Sequence, residues 1–312
     1  MKVIGHQAIA NLGISPLECY RWVAEMIQNK NEMILPAKIS LKPGDGIFYN
    51  TMPALLPAYG WAGVKLVNRY PNREPSLDSK LLLYRLCDGE ALALMDANYI
   101  TAMRTGAVAA HSIRLLAKKD FSVVGIMGLG NTARAALLVL QALYQDRLLT
   151  VKLLRYKNQH ELFIQRFAHC ANLHFVLVDT PEQVVRGSEV ILSAVTVLEH
   201  DVCADDCFEE GCLLVPVHTR GFTNCDLFFD KVFADDAGHV RGFGNFERFR
   251  YFAEVTDVVN GKAPGRQSDA ERILAYNIGI ALHDIYFAGN IYECLTATDS
   301  EAIDAPKGKF WV

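Results

Sequence analysis

Hydrophobic residues along this 312-residue chain change their spacing several times. Leu17, Tyr20, Val23, Ala24 and Ile27 recur at helical intervals, so one face of a helix over 16–29 is expected to be buried. Ser15-Pro16-Leu17-Glu18 begins that helix with an N-cap serine, a proline at the first helical position and a glutamate that reaches back. From 33 to 97 the apolar runs are short and strand-like, cut by Pro36, Pro43-Gly44, Pro53, Pro57, Gly60, Pro71 and Pro75. Residues 101–118 return to the helical period. Beyond 119, strands are predicted at 123–127, 149–154, 175–178, 190–194, 213–217 and 232–234, with helical segments between the earlier ones. That alternation predicts a doubly wound parallel sheet. After Gly265, Ser268-Asp269-Ala270-Glu271 repeats the capping pattern and predicts one long helix through Leu274, Ile278, Leu282 and Ile285. Such a helix, ~20 residues and about 30 Å long, can leave one domain and return to the other. The expected fold is α/β. A Rossmann-type domain spans 118–285, and a discontinuous α+β domain is built from 1–117 and 286–312.

The richest segment is Val123-Val124-Gly125-Ile126-Met127-Gly128-Leu129-Gly130-Asn131-Thr132-Ala133. It reads as a buried strand, a glycine turn and a helix start. Gly128 permits the tight turn, Gly130 lets a pyrophosphate approach the backbone, and Ala133 is the small residue where helix meets strand. The helix then places Ala133, Ala136, Leu137, Leu140 and Tyr144 on one stripe, with its free N–H groups aimed at the turn. An ordinary glycine turn of an α/β domain is the alternative. The strand over 149–154 ends in Arg155-Tyr156-Lys157, where an NAD site usually carries an acid, and no acid follows before Glu161. A guanidinium forks onto phosphate oxygens, so Arg155 and Lys157 favour NADP(H), with NAD(H) as the other possibility. A solvated basic loop would look the same.

Composition narrows the classes. The chain is 51% hydrophobic and 21% charged, with net charge −4, so it can bury cores and has no basic block for nucleic acid. No apolar run approaches the ~20 residues that span a bilayer, and the first ten residues lack a signal-peptide pattern. The expectation is a cytoplasmic protein with reduced cysteines. Cys203, Cys207 and Cys212, with His200 and His218, lack CxxC spacing, and no metal site is expected.

Three further segments identify a family. They are Gly63-Val64-Lys65-Leu66-Val67-Asn68-Arg69-Tyr70-Pro71-Asn72; Ala91-Leu92-Ala93-Leu94-Met95-Asp96 leading into Ile100-Thr101-Ala102-Met103-Arg104-Thr105-Gly106-Ala107; and Gly261-Lys262-Ala263-Pro264-Gly265-Arg266 with Gly279 and Asp284 beyond. With the glycine turn, and in this order, the chain resembles the ornithine cyclodeaminase and mu-crystallin family. The resemblance implies a Rossmann domain, a second domain that binds substrate and forms a homodimer, and hydride exchange between nicotinamide and the α-carbon of a small amino or imino acid. A strand-rich first segment with too few helices to cover it also favours a homodimer.

By the same resemblance, Lys65 contacts the substrate carboxylate and relays a proton, and Arg104 binds that carboxylate. Thr105, Thr196, Val217 and Asn277 join Gly128, Gly130, Asn131, Thr132 and Ala133 around the cofactor. Lys38 stands where the family usually has an arginine, which keeps the charge but loses the fork. The cyclodeaminases carry an aspartate after the strand near 217, where this chain has His218-Thr219-Arg220. His218 is either an acid/base group or a polar loop residue. Arg220 is either a second anion clamp or a solvated arginine. A guanidinium there would repel a side-chain amine and cannot act as a base. A reductase or dehydrogenase is therefore expected ahead of a redox-neutral cyclodeaminase using bound NAD, or a non-catalytic NADP(H)-binding protein.

Overall fold

The computed structural model describes residues 1–195, 202–217, 222 and 225–295. The first half comprises β1 (Lys2–Ile4), α1 (His6–Asn11), α2 (Pro16–Gln28), β2 (Ile39–Gly44), β3 (Ile47–Leu56), β4 (Trp61–Arg69), β5 (Leu77–Arg85), β6 (Ala91–Asp96) and α3 (Asn98–Leu116). Ser15 caps α2 as expected, accepting from the Glu18 N–H. The helix is rotated from its predicted stripe. Cys19, Trp22, Val23, Met26 and Ile27 are buried, while Leu17 is exposed. The helix α3 packs along the side of α2 that carries Cys19 and Tyr20, while Trp22 is drawn in by Phe287, whose ring it meets edge-on.

The six strands form one sheet in the order β1-β6-β5-β4-β3-β2, with β1 parallel to β6 and the rest antiparallel. One face packs on helices. The other carries a cross-strand row of Val3, Leu94, Leu82, Val64 and Pro53, with Leu66 beside it. Val3, Leu94 and Leu66 are exposed on this apolar face.

The second half comprises β7 (Val123–Met127), α4 (Asn131–Leu143), β8 (Leu149–Leu154), α5 (Gln159–Arg166), β9 (Leu173–Val178), α6 (Pro181–Val185), β10 (Val190–Ser193), β11 (Leu213–Pro216), β12 (Lys231–Ala234), α7 (Ala237–Val240), β13 (Phe252–Glu254), α8 (Val255–Val259), β14 (Ile273–Tyr276) and α9 (Ala281–Cys294). Its eight strands are all parallel, in the order β13-β12-β14-β11-β10-β7-β8-β9. This is the doubly wound, Rossmann-type sheet.

One expectation fails here. Residues 268–285 are not a single helix. Ile273–Tyr276 is a fully buried strand between β11 and β12. Ser268 and Glu271 close a local turn instead of opening a helix: Ser268 Oγ accepts from the Ala270 N–H, and Glu271 Oε2 from the Gln267 N–H. Gly279, at φ +92°, separates strand from helix. The central place in the sheet, where every side chain is enclosed, overrides the helical spacing.

The helix α9 then crosses to the first sheet and packs on β3, β4 and β5, and on α2 and α3. Alternate residues of β4 face it. A Cβ on Gly63 would stand 2.7 Å from Ile285 Cδ1, and one on Gly289 would collide with the Trp61 indole. Both glycines are small because the helix lies against the strand.

Candidate active site

Lys65 follows Trp61 and Gly63 on the helix-facing side of β4, which buries its side chain completely. Nζ donates to Asp284 Oδ1 on α9 at 2.7 Å. Arg104, one turn and a half into α3, donates from Nε to the same oxygen at 2.9 Å and is 5% exposed. One carboxylate oxygen thus receives two buried cations. Asp284 Oδ2, equally buried, has no hydrogen-bond partner among the described residues. Burial lowers the Lys65 ammonium to about 7, with the Arg104 charge adding to it; Asp284 opposes this and Lys38 reinforces it.

Lys38 precedes β2, and its ammonium donates to the Ile278 carbonyl at 3.1 Å. Burial, and the charges of Arg104 and Lys42, bring it down to about 8 against the pull of Asp235 and Asp284. The turn at 277–280 supports this group. Gly279 gives its N–H to Asp235 Oδ2, and any Cβ on it would collide with Arg104 Nη1. His283, fully buried beside Arg104, is lowered to about 3 by burial and that charge, so its ring is neutral, and neither nitrogen has a hydrogen-bond partner among the described residues.

The glycine turn lies at the C-terminal edge of the parallel sheet. Gly128 has φ +80°, and a Cβ there would stand 2.5 Å from the Ala194 carbonyl carbon, so only glycine fits. A Cβ on Gly130 would meet no atom within 4 Å. Gly130 is the N-cap of α4, and no side chain caps the helix. Asn131 and Thr132 lie in its first turn, partly or fully exposed, and Ala133 is buried against the sheet. Uncapped N–H groups and an open backbone face suit a pyrophosphate.

Nearby strand ends close around the turn. The Val217 N–H donates to Ser193 and the Asn277 N–H to Pro216, while Asn277 Oδ1 accepts from Ser112 Oγ at 2.9 Å. Thr105 is buried and donates to the Thr101 carbonyl. Arg155 and Lys157 are exposed beyond β8. Arg155 pairs at 3.0 Å with Asp179, an acid at the end of the neighbouring strand β9 that local sequence order hides. Lys157 has φ +47° and lies over the Tyr156 ring. Thr196, His218 and Arg220 lie outside the described residues. Asp226, the next acid in the sequence after Arg220, is buried and accepts from Asn245 Nδ2 at 2.7 Å.

The structure therefore joins Lys65, Arg104 and Lys38 in one place and adds Asp284, which sequence reasoning used only as a family marker. Its signal was an acid in the apolar run Ala281-Leu282-His283-Asp284-Ile285. Among the described residues no helix is long and apolar enough to cross a membrane, and no group of three His, Cys, Asp or Glu could hold a metal ion.

A doubly wound parallel sheet joined to a second, mostly antiparallel sheet, with a buried cluster of two cations on one carboxylate, defines the class of fold as Rossmann-type α/β with a second domain. The ornithine cyclodeaminase/mu-crystallin family model matches residues 13–299, and the chain belongs to that family. It is 28% identical to the ketimine reductase mu-crystallin of Mus musculus over 79% of this chain and 80% of that one. It is 26% identical to an alanine dehydrogenase of Archaeoglobus fulgidus over 83% of this chain and 84% of that one. Among solved structures, Thermococcus litoralis Δ1-pyrroline-2-carboxylate reductase, in complex with NADH and L-proline, superposes with a TM-score of 0.84 at 22% identity, covering 94% of this chain and 97% of that one.

Proposed function

We propose that the chain is a nicotinamide-dependent oxidoreductase that reduces a small imino acid, or oxidises the corresponding amino acid, at the α-carbon. The observation that carries this reading is the Lys65–Asp284–Arg104 cluster. Two buried cations share one carboxylate, which leaves a net positive site suited to a substrate carboxylate. The ketimine reductase and alanine dehydrogenase among the relatives support the same class. In this reading Arg104 and Lys38 bind the carboxylate. Lys65, at about 7, holds a proton near neutrality and delivers it to the imine nitrogen. Asp284 keeps Lys65 and Arg104 together. The α4 N-terminus with Gly128, Gly130, Asn131, Thr132 and Ala133 holds the dinucleotide pyrophosphate. When bound, the cofactor supplies or accepts a hydride.

Arg155 and Lys157 favour NADP(H) through the ribose 2′-phosphate. Incubation with NADPH or NADH and either Δ1-pyrroline-2-carboxylate or pyruvate plus ammonia tests the proposal. Consumption of reduced cofactor with formation of the amino acid is expected. Steady release of ammonia and proline from ornithine, without net change of cofactor, would overturn it.

The second part of the proposal is a homodimer built on the apolar face that carries Val3, Leu94, Leu82, Val64, Pro53 and Leu66. The row is apolar across five strands, and Val3, Leu94 and Leu66 on it are left exposed among the described residues. Light scattering is expected to give twice the chain mass at micromolar concentration, and a monomer there would remove this part.

A further inference from the structure

We propose that His239 and Asp235 form a positioning pair that holds Lys38 and Arg104 from across the seam between the two sheets, which rests on the reading of those two cations as carboxylate anchors. Lys38 lies outside the regular strands of its own half. It lies between an isolated bridge, Ile34 to Leu55, and the edge strand β2, whose residues are all exposed. Its main-chain N–H donates instead to His239 Nε2 on α7, at 3.2 Å. The adjoining Ala37 is equally close to α7: a Cβ on Gly238 would stand 3.4 Å from Ala37 Cβ. The start of α7 is fixed in turn, because Asp236 Oδ1 accepts from the Gly238 N–H at 2.7 Å.

The accepting nitrogen sets the tautomer. With Nε2 accepting, a neutral ring carries its proton on Nδ1. Nδ1 faces Asp235 Oδ1 at 3.8 Å, too long for a hydrogen bond but near enough for the carboxylate charge to favour that tautomer. Both side chains are buried, and neither facing atom has a hydrogen-bond partner among the described residues. The other oxygen of Asp235 accepts from the Gly279 N–H, and Gly279 is the residue against which the Arg104 guanidinium lies. One carboxylate therefore orients the imidazole that holds Lys38 and also fixes the turn that backs Arg104. Neither His239 nor Asp235 is assigned contact with substrate; each acts through another residue.

The test compares His239→Ala with His239→Gln, whose Oε1 stands near the place of Nε2. With Δ1-pyrroline-2-carboxylate and NADPH, His239→Ala is expected to raise KM about five- to tenfold with kcat within about twofold. His239→Gln is expected to restore most of the loss. Lys38→Met should raise KM by itself, and adding His239→Ala to it should raise KM no further. Hydrogen exchange at the Lys38 amide should quicken in His239→Ala and return in His239→Gln. If Lys38→Met leaves KM unchanged, or the wild type does not reduce the imine, the functional reading fails and this role falls with it. If Lys38→Met raises KM while His239→Ala leaves both KM and Lys38 exchange at the wild-type value, the positioning pair alone is wrong. Failure of glutamine to restore a KM raised by alanine would also overturn it.

Discussion

Lys30 and Lys65 are two of the three lysines buried among the described residues, and their surroundings set them apart. Lys30, just past α2, places Nζ 2.6 Å from Glu254 Oε2, 2.9 Å from Asp236 Oδ2 and 2.9 Å from the Asp235 carbonyl. Burial would lower its ammonium, but Glu254 and Asp236 together hold it above the ordinary lysine value. Lys65 shares a single carboxylate with Arg104, and burial brings it to about 7. The number of carboxylates per cation, more than burial, separates a fixed charge from an exchangeable one. Lys30 ties α2 to the β12–β13 edge of the parallel sheet, and in the proposed reaction Lys65 is the group that moves a proton.

Substitution with a neutral side chain of similar length gives the sharpest test of that contrast. Lys65→Met is expected to lower turnover about a hundredfold or more, the range of a lost general acid. Thermal stability should be retained or rise, because Arg104 and Asp284 remain as a balanced pair. Lys30→Met is expected to do the reverse. It leaves two acids facing each other, so it should cost about 2–4 kcal/mol in urea unfolding while turnover per folded molecule is kept. Equal losses of turnover in both variants would break the contrast.

The pH dependence follows with a smaller effect. Reduction of an imine needs the protonated Lys65, so kcat/KM in that direction should fall as pH rises through about 7, and amine oxidation should rise over the same range. Stability moves the other way from this residue. The unfolded lysine titrates at about 10.4, well above the folded value of about 7. Between the two, the unfolded chain binds more protons, so Lys65 makes the fold more stable as pH rises. Lys30, whose folded value is raised, contributes stability below the unfolded pKa and none of that slope. Thermal unfolding of wild type and Lys65→Met across that window should show the slope flatten in the variant.

An exposed pair completes the series with the smallest effect. Arg155 and Asp179 are about half and three-quarters exposed, so their ion pair contributes little to stability. Arg155→Asp is expected to leave unfolding unchanged and shift the NADPH-to-NADH preference about tenfold toward NADH. Titration of both cofactors checks it, and an unchanged ratio would remove Arg155 from the cofactor site.

Local chemistry carried much of the fold. The strands at 123–127 and 149–154 lie between turn signals, the first almost wholly buried and the second buried at alternate residues, and they form where the spacing puts them. Lys65 was legible as one residue of an alternating strand, which gives it a face but not its depth. Its depth depends on α9, more than two hundred residues later, and no local pattern records that meeting. The same distance hid Asp284, and a shorter one of 24 residues hid Asp179, the partner of Arg155. The misread helix at 268–285 has a related cause, since apolar residues enclosed on every side satisfy strand and helix spacing alike.

The two small residues on either side of the α9–β4 contact have a consequence for how the carboxylate is placed. Gly63 receives Ile285, and Gly289 receives the Trp61 ring, so the helix is keyed to the strand at two points four residues apart. A slide by one residue would advance it about 1.5 Å and turn it by about 100°, bringing both bulky partners onto residues with no room for them. Asp284 adjoins the first key. Its distance from Lys65 is therefore machined into the backbone, as a bolt's travel is set by its notches, and it holds whether or not the charges on either side are present.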